Sequence, residues 1–248
     1  MRENSSSVDY ATNYREIYQQ RLLESDCEAL SNSALGAARE STRPSELVEV
    51  WAMIGAKCAA TPVSQELSNK YPVYSHLMEL PLKDLMKSMA LEETCRSWSG
   101  ECEDFVLLLE RLYQTADVQE QQLIISVLPL LKSPERFLYI ATEAARTNIV
   151  PVFSALALNN PFPQEHFSEN QWNQMVLKTI FVGCNIAQIV GLHERHNSAL
   201  SETIFQYVRE RHSAHRSVPS AVVELCERQL TESCQLQLNT IKPDLRKE

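Results

Sequence analysis

Signals for the start of a helix recur about every 16 residues in the central part of the chain, and this rhythm limits the possible folds most strongly. Starts are indicated near residues 101, 117, 133 and 148. Asp117 is a favoured N-cap residue, and Ser133 precedes a proline in a first helical turn. Helices of this length, stacked side by side, are typical of HEAT-like and armadillo-like repeats. The sequence therefore predicts an all-α fold, a right-handed stack of antiparallel helix pairs.

Composition supports helices and narrows the class of partner. The chain has only 5 glycines in 248 residues, and its apolar content is 44%. Its formal net charge is -9, which argues against binding to nucleic acid or to an anionic membrane surface. No apolar run approaches the roughly 20 residues that span a bilayer, and residues 1–7 do not resemble a secretory signal. We expect a cytoplasmic protein without a transmembrane segment.

The cysteines and histidines do not follow a metal-binding pattern. Cys95 and Cys102 are too far apart for a Cys-x-x-Cys site, and no histidine pair has helical ligand spacing with a third ligand. We expect reduced thiols, no metal and no cofactor. Nucleophile elbows, glycine-rich phosphate loops and His-Glu-x-x-His sequences are also absent from the sequence. A non-catalytic role is therefore favoured over an enzyme, although distant residues can still assemble a catalytic site.

The chain is predicted to have three parts. Residues 1–98 form an N-terminal helical region on the same core, residues 99–240 form the helical repeat, and residues 241–248 form a mobile tail. In the first part, apolar residues recur at helical spacing in 8–23 and again after Pro44. The three prolines within residues 61–81 predict an irregular connection.

Residues 146–178 contain polar residues where a buried helical face would require apolar ones. Ser168 and Gln171 form a predicted capping box, and Gly183 suits the left-handed position after the helix. On that helix Asn173 falls inside the arc of Trp172 and Ile180. A buried amide must be hydrogen-bonded, so Asn173 either holds the proline-rich loop 159–167 or faces a ligand. The structural alternative is favoured.

Other polar residues of this stretch have similar alternatives. Asn148 is predicted as an N-cap, because Pro151 follows in the next turn. Arg146 suits an ion pair or an anionic ligand, and Asn160 suits a turn. Trp172 suits the core or a ligand pocket, and Lys178 suits a solvated face.

The same stretch carries a family resemblance. Arg-Thr-Asn at 146–148, Asn-Pro-Phe-Pro at 160–163 and Trp-Asn-Gln-Met-Val-Leu-Lys at 172–178 resemble the EboA family. Gly-Leu at 191–192 and Glu-Arg at 194–195 continue the resemblance, which covers about residues 100–216. The family pattern has Glu where Ser154 stands, Asp where His193 stands and an aromatic residue where His212 stands.

The resemblance implies a role in secondary-metabolite handling. It implies a bacterial gene cluster that moves a metabolite out of the cytoplasm, with a membrane prenyltransferase-like protein, a metal hydrolase and a sugar-phosphate cyclase as neighbours. The family supplies no catalytic residue to transfer. It implies a shared polar site, structural or ligand-facing, made of Arg146, Asn148, Asn160, Trp172, Asn173, Lys178 and Arg195.

Two functions remain open at this point. The favoured hypothesis is a non-catalytic scaffold or carrier in metabolite biosynthesis and trafficking, which binds a partner protein or a polar metabolite. The alternative is an enzyme acting on a small anionic or polyol-like metabolite of the same pathway. In that case Arg146 or Lys178 would hold an anion and Asn173 would orient it.

Overall fold

The computed structural model of the chain describes residues 5–41, 44–58, 81–99 and 101–245. All regular structure within these ranges is helical, as the sequence predicts. We number the described α-helices α1 (Ser5–Leu23), α2 (Glu28–Glu40), α3 (Pro44–Lys57), α4 (Leu82–Ser97), α5 (Cys102–Thr115), α6 (Val118–Val127), α7 (Leu138–Arg146), α8 (Val150–Ala157), α9 (Phe162–His166), α10 (Glu169–Phe181), α11 (Ser198–Ser213), α12 (Ser220–Glu227) and α13 (Glu232–Leu245).

The chain divides into two compact units, Met1–His166 and Phe167–Glu248. The predicted division into residues 1–98, 99–240 and 241–248 stays a prediction. The last described helix continues to Leu245, beyond the region where the apolar sequence pattern ends. The predicted irregular connection at 61–81 lies almost wholly outside the described residues.

In the first unit, α4 packs against α1, α2 and α3. The predicted apolar stripes are confirmed, because Tyr10, Tyr14 and Ile17 of α1 and Leu47 and Ile54 of α3 are buried. Burial of large apolar side chains contributes about 1.5–3 kcal/mol each. These stripes therefore account for much of the packing around α4.

The sequence pattern does not reveal α2. Its buried residues are Ser31, Ala34 and Ala38, which are small and recur at helical spacing. Small residues allow close approach of helix backbones but make a weak apolar signal. Large apolar side chains are thus an incomplete guide to the buried face of a short helix.

The predicted helix starts near 101, 117 and 133 correspond to real starts in the first unit. Asp117 caps α6, since its carboxylate accepts a hydrogen bond from the Glu120 amide at 2.9 Å. Pro134 opens a short 3₁₀-helix, but Ser133 makes no side-chain cap and adopts a left-handed conformation with φ 58°. Consecutive helices α5 to α8 contact one another along this part of the chain.

The predicted N-cap at Asn148 is wrong. The N-cap of α8 is Ile149, without a side-chain cap, and the Thr147 hydroxyl accepts from the Ile149 amide at 3.2 Å. Threonine at 147 can form this short-range bond, so the helix starts one residue later than the proline suggested. Asn148 is exposed.

In the second unit, α11 packs against α10, α12 and α13. Leu200, Ile204 and Val208 of α11 are buried. Tyr207 is only half-buried, and its ring lies 5.2 Å from that of Phe181. The helix starts at Ser198, and the Asn197 side chain caps it. None of the described helices is both long enough and apolar enough to cross a bilayer.

Candidate functional site

A capping box fixes the start of α10. The Ser168 hydroxyl accepts from the Gln171 amide at 3.4 Å, and the Gln171 side-chain oxygen accepts from the Ser168 amide at 3.0 Å. The sequence predicted this arrangement. It satisfies two amides of the first turn and so sets the direction of the next residues, Trp172 and Asn173.

Trp172 and Arg195 join α10 to the segment that precedes α11. Trp172 is fully buried, and the Arg195 guanidinium carbon lies 4.8 Å from the centre of its ring. Arg195 Nη2 also donates to the Phe167 carbonyl at 2.8 Å. Partial burial lowers the pKa of Arg195, and the negative charge of Glu169 opposes that shift. A cation over an indole face in a partly desolvated place favours one fixed orientation of both groups.

Asn173 pairs with Asn197 rather than with the proline-rich loop. Asn173 Nδ2 donates to Asn197 Oδ1 at 3.2 Å, and Asn197 Nδ2 donates to Asn173 Oδ1 at 2.9 Å. Asn197 Oδ1 also accepts from the Leu200 amide at 2.9 Å and thereby caps α11. The amide pair thus connects α10 to the N-terminus of α11. Asn173 was expected to hold loop 159–167 or to face a ligand. It bonds to Asn197 instead, and Arg195 supplies the contact to that loop by donating to the Phe167 carbonyl.

His196 lies between these two residues and points into the second unit. Its Nε2 is 2.6 Å from the Ser201 hydroxyl, and its carbonyl accepts from Gln229 at 3.4 Å. Burial lowers the pKa of His196, and the charges of Arg228 and His193 lower it further. The imidazole is therefore held neutral around pH 7.

The segment 183–197 is shaped by two glycines in left-handed conformations. Gly183 has φ 75°, as the sequence predicted, and Gly191 has φ 78°. Between them, Asn185 accepts from the Ala187 amide at 3.1 Å and caps a 3₁₀-helix at Ile186–Gln188. We call residues 183–197 the mounted loop, because Arg195 and Asn197 anchor its end to α10. Such a loop can present side chains from a fixed backbone.

The mounted loop and α12 together line a cavity of about 420 Å³. Ile186, Ile189 and Leu192 of the loop and Leu225 of α12 form its apolar wall. A cavity of this size falls within the range of small-molecule sites, roughly 300–1,000 Å³. All of the described residues that line it belong to the second unit.

Four charged or titratable side chains also line this cavity: His193 and Glu194 from the mounted loop, and Glu224 and Arg228 from α12 and its C-cap. All four residues are exposed. Within the part of the chain that the structure describes, none of their side chains makes a hydrogen bond or an ion pair. They are therefore available to a molecule that enters the cavity.

The sequence pattern does not mark these four residues as a site. Glu194 and His193 appeared only within the family pattern, and Glu224 and Arg228 lie on an exposed helix face where charges are common. Among the described residues no cluster of three His, Cys, Asp or Glu side chains is arranged to hold a metal ion. These positions are recognisable only in the structure, where the mounted loop and α12 line the same cavity.

Three of the predicted site residues lie in the first unit. Asn160 is buried: its Nδ2 donates to the carbonyls of Ile125 and Ala155, at 3.2 and 3.0 Å, and its oxygen accepts from the Phe162 amide at 3.0 Å. Arg146 is exposed and pairs with Glu143 of its own helix at 3.2 Å. Asn148, two residues after Arg146 in the sequence, is also exposed.

The other four predicted residues lie in the second unit. Trp172, Asn173 and Arg195 belong to the contacts that anchor the mounted loop. Lys178 is half-buried, burial lowers its pKa, and it projects about 140° around α10 from Asn173. A single site that contains all seven residues stays a prediction.

The fold and site define a helical protein with a small-molecule-sized cavity behind an anchored loop. A family model described as "Metabolite traffic protein EboA" matches residues 97–227, just over half of the chain. The chain belongs to the EboA family, as its motifs indicated. Searches of curated proteins and of solved structures gave no significant match.

Proposed function

We propose that the chain is a non-catalytic carrier in secondary-metabolite biosynthesis and trafficking, and that it binds a polar metabolite in the cavity of the second unit. One observation carries the proposal. Four side chains with charge or hydrogen-bonding capacity line an apolar-walled cavity, and none makes a hydrogen bond or an ion pair to another described residue. Apolar walls with a few placed polar groups are the usual composition of a ligand site.

The residues that carry the family resemblance have a supporting role in this proposal. Asn173 is hydrogen-bonded to Asn197 of the mounted loop, and Arg195 of that loop lies over the Trp172 ring and donates to the Phe167 carbonyl. These contacts position the mounted loop, and the two residues just before Arg195, His193 and Glu194, line the cavity. In this proposal Trp172, Asn173 and Arg195 do not contact the metabolite themselves. They position the side chains that do.

The remaining expectations belong to the same proposal. The helices would stack as a right-handed HEAT- or armadillo-like array of antiparallel pairs, which the consecutive contacts of α5 to α8 support. The protein would act in the cytoplasm and pass its cargo to proteins of the same gene cluster, including the membrane prenyltransferase-like one. Arg146 and Asn148, which are exposed, would be available to such a partner.

The carrier function is tested by filling the cavity. Ala221 lines the cavity from the first turn of α12, and Ala221→Trp would occupy it. Ala199→Trp is the matched control, because Ala199 is an exposed residue of the first turn of α11. Each protein is incubated with a protein-free extract of cells that carry the gene cluster, and the bound compounds are identified by mass spectrometry.

We expect at least one compound to be retained by the wild type and by Ala199→Trp but lost from Ala221→Trp. A bound compound that leaves with unchanged mass supports a carrier, whereas a compound released with altered mass would support the enzyme alternative. Equal retention by all three proteins would contradict binding in this cavity. Partner binding is tested separately, by co-elution of the purified chain with each protein of the cluster in size-exclusion chromatography.

A further inference from the structure

The two walls of the cavity carry different charges. The mounted loop contributes the carboxylate of Glu194, and α12 contributes the carboxylate of Glu224 and the guanidinium of Arg228. Glu224 and Arg228 are four residues apart, so they lie on one face of the helix with Ala221. Among the described residues that line the cavity, each wall therefore has a carboxylate, and Arg228 is the one arginine or lysine.

A molecule that carries only one sign of charge does not match this distribution. A purely anionic molecule could pair with Arg228 but would lie beside two carboxylates. A purely cationic molecule could pair with Glu194 and Glu224 but would leave the guanidinium unmatched. A molecule with one sign of charge therefore leaves part of the cavity's charge unmatched, whereas a molecule with both signs can match all three groups.

We propose that the cavity binds a zwitterionic small molecule with an apolar body. Its ammonium group contacts Glu194 and Glu224, its anionic group contacts Arg228, and its body packs against Ile189, Leu192 and Leu225. Arginine suits the anionic group because its planar fork of donors matches a carboxylate or phosphate. This inference rests on the proposed carrier function and adds the chemical class of the cargo.

The test uses two sets of matched probes. L-phenylalanine is compared with phenethylamine, which lacks the carboxylate, and with 3-phenylpropanoate, which lacks the ammonium. L-leucine is compared in the same way with isoamylamine and 4-methylpentanoate. Binding to the whole chain is measured by isothermal titration calorimetry at pH 7. We expect at least one amino acid to bind roughly tenfold more tightly than both of its analogues, as one charge-assisted hydrogen bond would give.

Variants assign each charge to its side chain. Arg228→Gln should abolish the preference for the amino acid over the amine, and Glu224→Gln should weaken its preference over the acid. Arg216→Gln and Glu202→Gln are the controls, because both residues are exposed in the second unit and neither lines the cavity. The controls should keep the wild-type preferences, and circular dichroism should show that all four variants are folded.

Several results would overturn the assignment. An amine or an acid that binds as tightly as its amino acid would identify a different ligand class. No measurable binding by either amino acid, or equal losses in Arg228→Gln and Arg216→Gln, would also refute it. These failures are distinct from failure of the carrier function. If Ala221→Trp still loses a compound from the cell extract, the cavity is a ligand site for another class of molecule.

Discussion

Charged side chains are used differently in the two units of the molecule. In the first unit, Glu92 and Glu93 of α4 are buried, and each is paired with arginine. Arg15 Nη2 lies 2.5 Å from Glu92 Oε1, and Arg39 Nε lies 2.7 Å from Glu93 Oε1. In the second unit, Glu194, Glu224 and Arg228 line a cavity and are exposed.

The two units illustrate two uses of a charged side chain: an ion pair within the fold, and a group that stays available to a ligand. A buried carboxylate requires a partner, because desolvation of an unpaired ion is strongly unfavourable. An exposed carboxylate is hydrated and needs no partner within the chain. The exposed charges that line the cavity are therefore available to a ligand at little cost to folding, whereas the charges around α4 are committed to the fold.

The largest expected effect concerns the residue under the mounted loop. Trp172→Ala should lower the free energy of unfolding by about 3–5 kcal/mol, because it removes a fully buried indole and the ring beneath Arg195. Trp172→Phe keeps a ring there and should cost less. Urea unfolding followed by circular dichroism gives both values. A loss below about 1 kcal/mol for the alanine variant would show that the loop is anchored in another way.

Breaking a partly buried ion pair in the first unit should have the next largest effect. Arg15→Met leaves Glu92, whose side chain is only 7% exposed, without this partner. Because the arginine side chain itself is 45% exposed, we expect a loss of about 2 kcal/mol rather than the full cost of a buried pair. Arg146→Met is the matched control, since its pair with Glu143 is exposed and should contribute roughly 0.5 kcal/mol or less. Equal losses would contradict the distinction.

The amide pair of the second unit should show energetic coupling. Asn173→Ala leaves Asn197 without its side-chain partner and should cost about 1–2 kcal/mol. The double variant with Asn197→Ala should be less destabilised than the sum of the single variants, by about 1 kcal/mol. Gln174→Ala, at the exposed neighbouring position, is the control. Strict additivity would mean that the two amides act independently.

His196 should make the stability of the second unit depend on pH. Its pKa is lowered by burial in the folded chain, so the unfolded chain takes up a proton first as the pH falls below about 6.5. Its contribution is complete above that pH and declines as the pH falls toward the folded pKa. Urea midpoints at pH 7.5 and 5.5 should therefore differ less in His196→Gln than in the wild type. His215→Asn, at an exposed position, should behave as the wild type does.

The smallest effect is expected at the cavity itself. Arg228→Gln should change the free energy of unfolding by no more than about 0.5 kcal/mol, because the side chain is exposed and unpaired among the described residues. Its effect on ligand binding should be much larger than its effect on stability. A loss comparable to that of Arg15→Met would show that Arg228 belongs to the fold.

Local features of the chain were predictable to different degrees. The capping box at Ser168, the Asp117 cap and the left-handed Gly183 follow from interactions within a few residues, and the structure contains all three. The N-cap at Asn148 was misplaced, because the neighbouring Thr147 offered a competing hydrogen bond to the first turn. Helix α2 was missed because its buried face consists of small side chains.

The sequence by itself determined the helical class, the family and the fact that Asn173 needs a hydrogen-bond partner. These depend on spacing, on capping chemistry and on the cost of burying an amide, which act over a few residues. Only the tertiary structure decided that the partner is Asn197, and that Glu194 meets Glu224 and Arg228 across one cavity. Asn173 and Asn197 are 24 positions apart in the sequence, and Glu194 and Glu224 are 30 positions apart. They are brought together by packing of the mounted loop against a helix, which no local sequence pattern specifies.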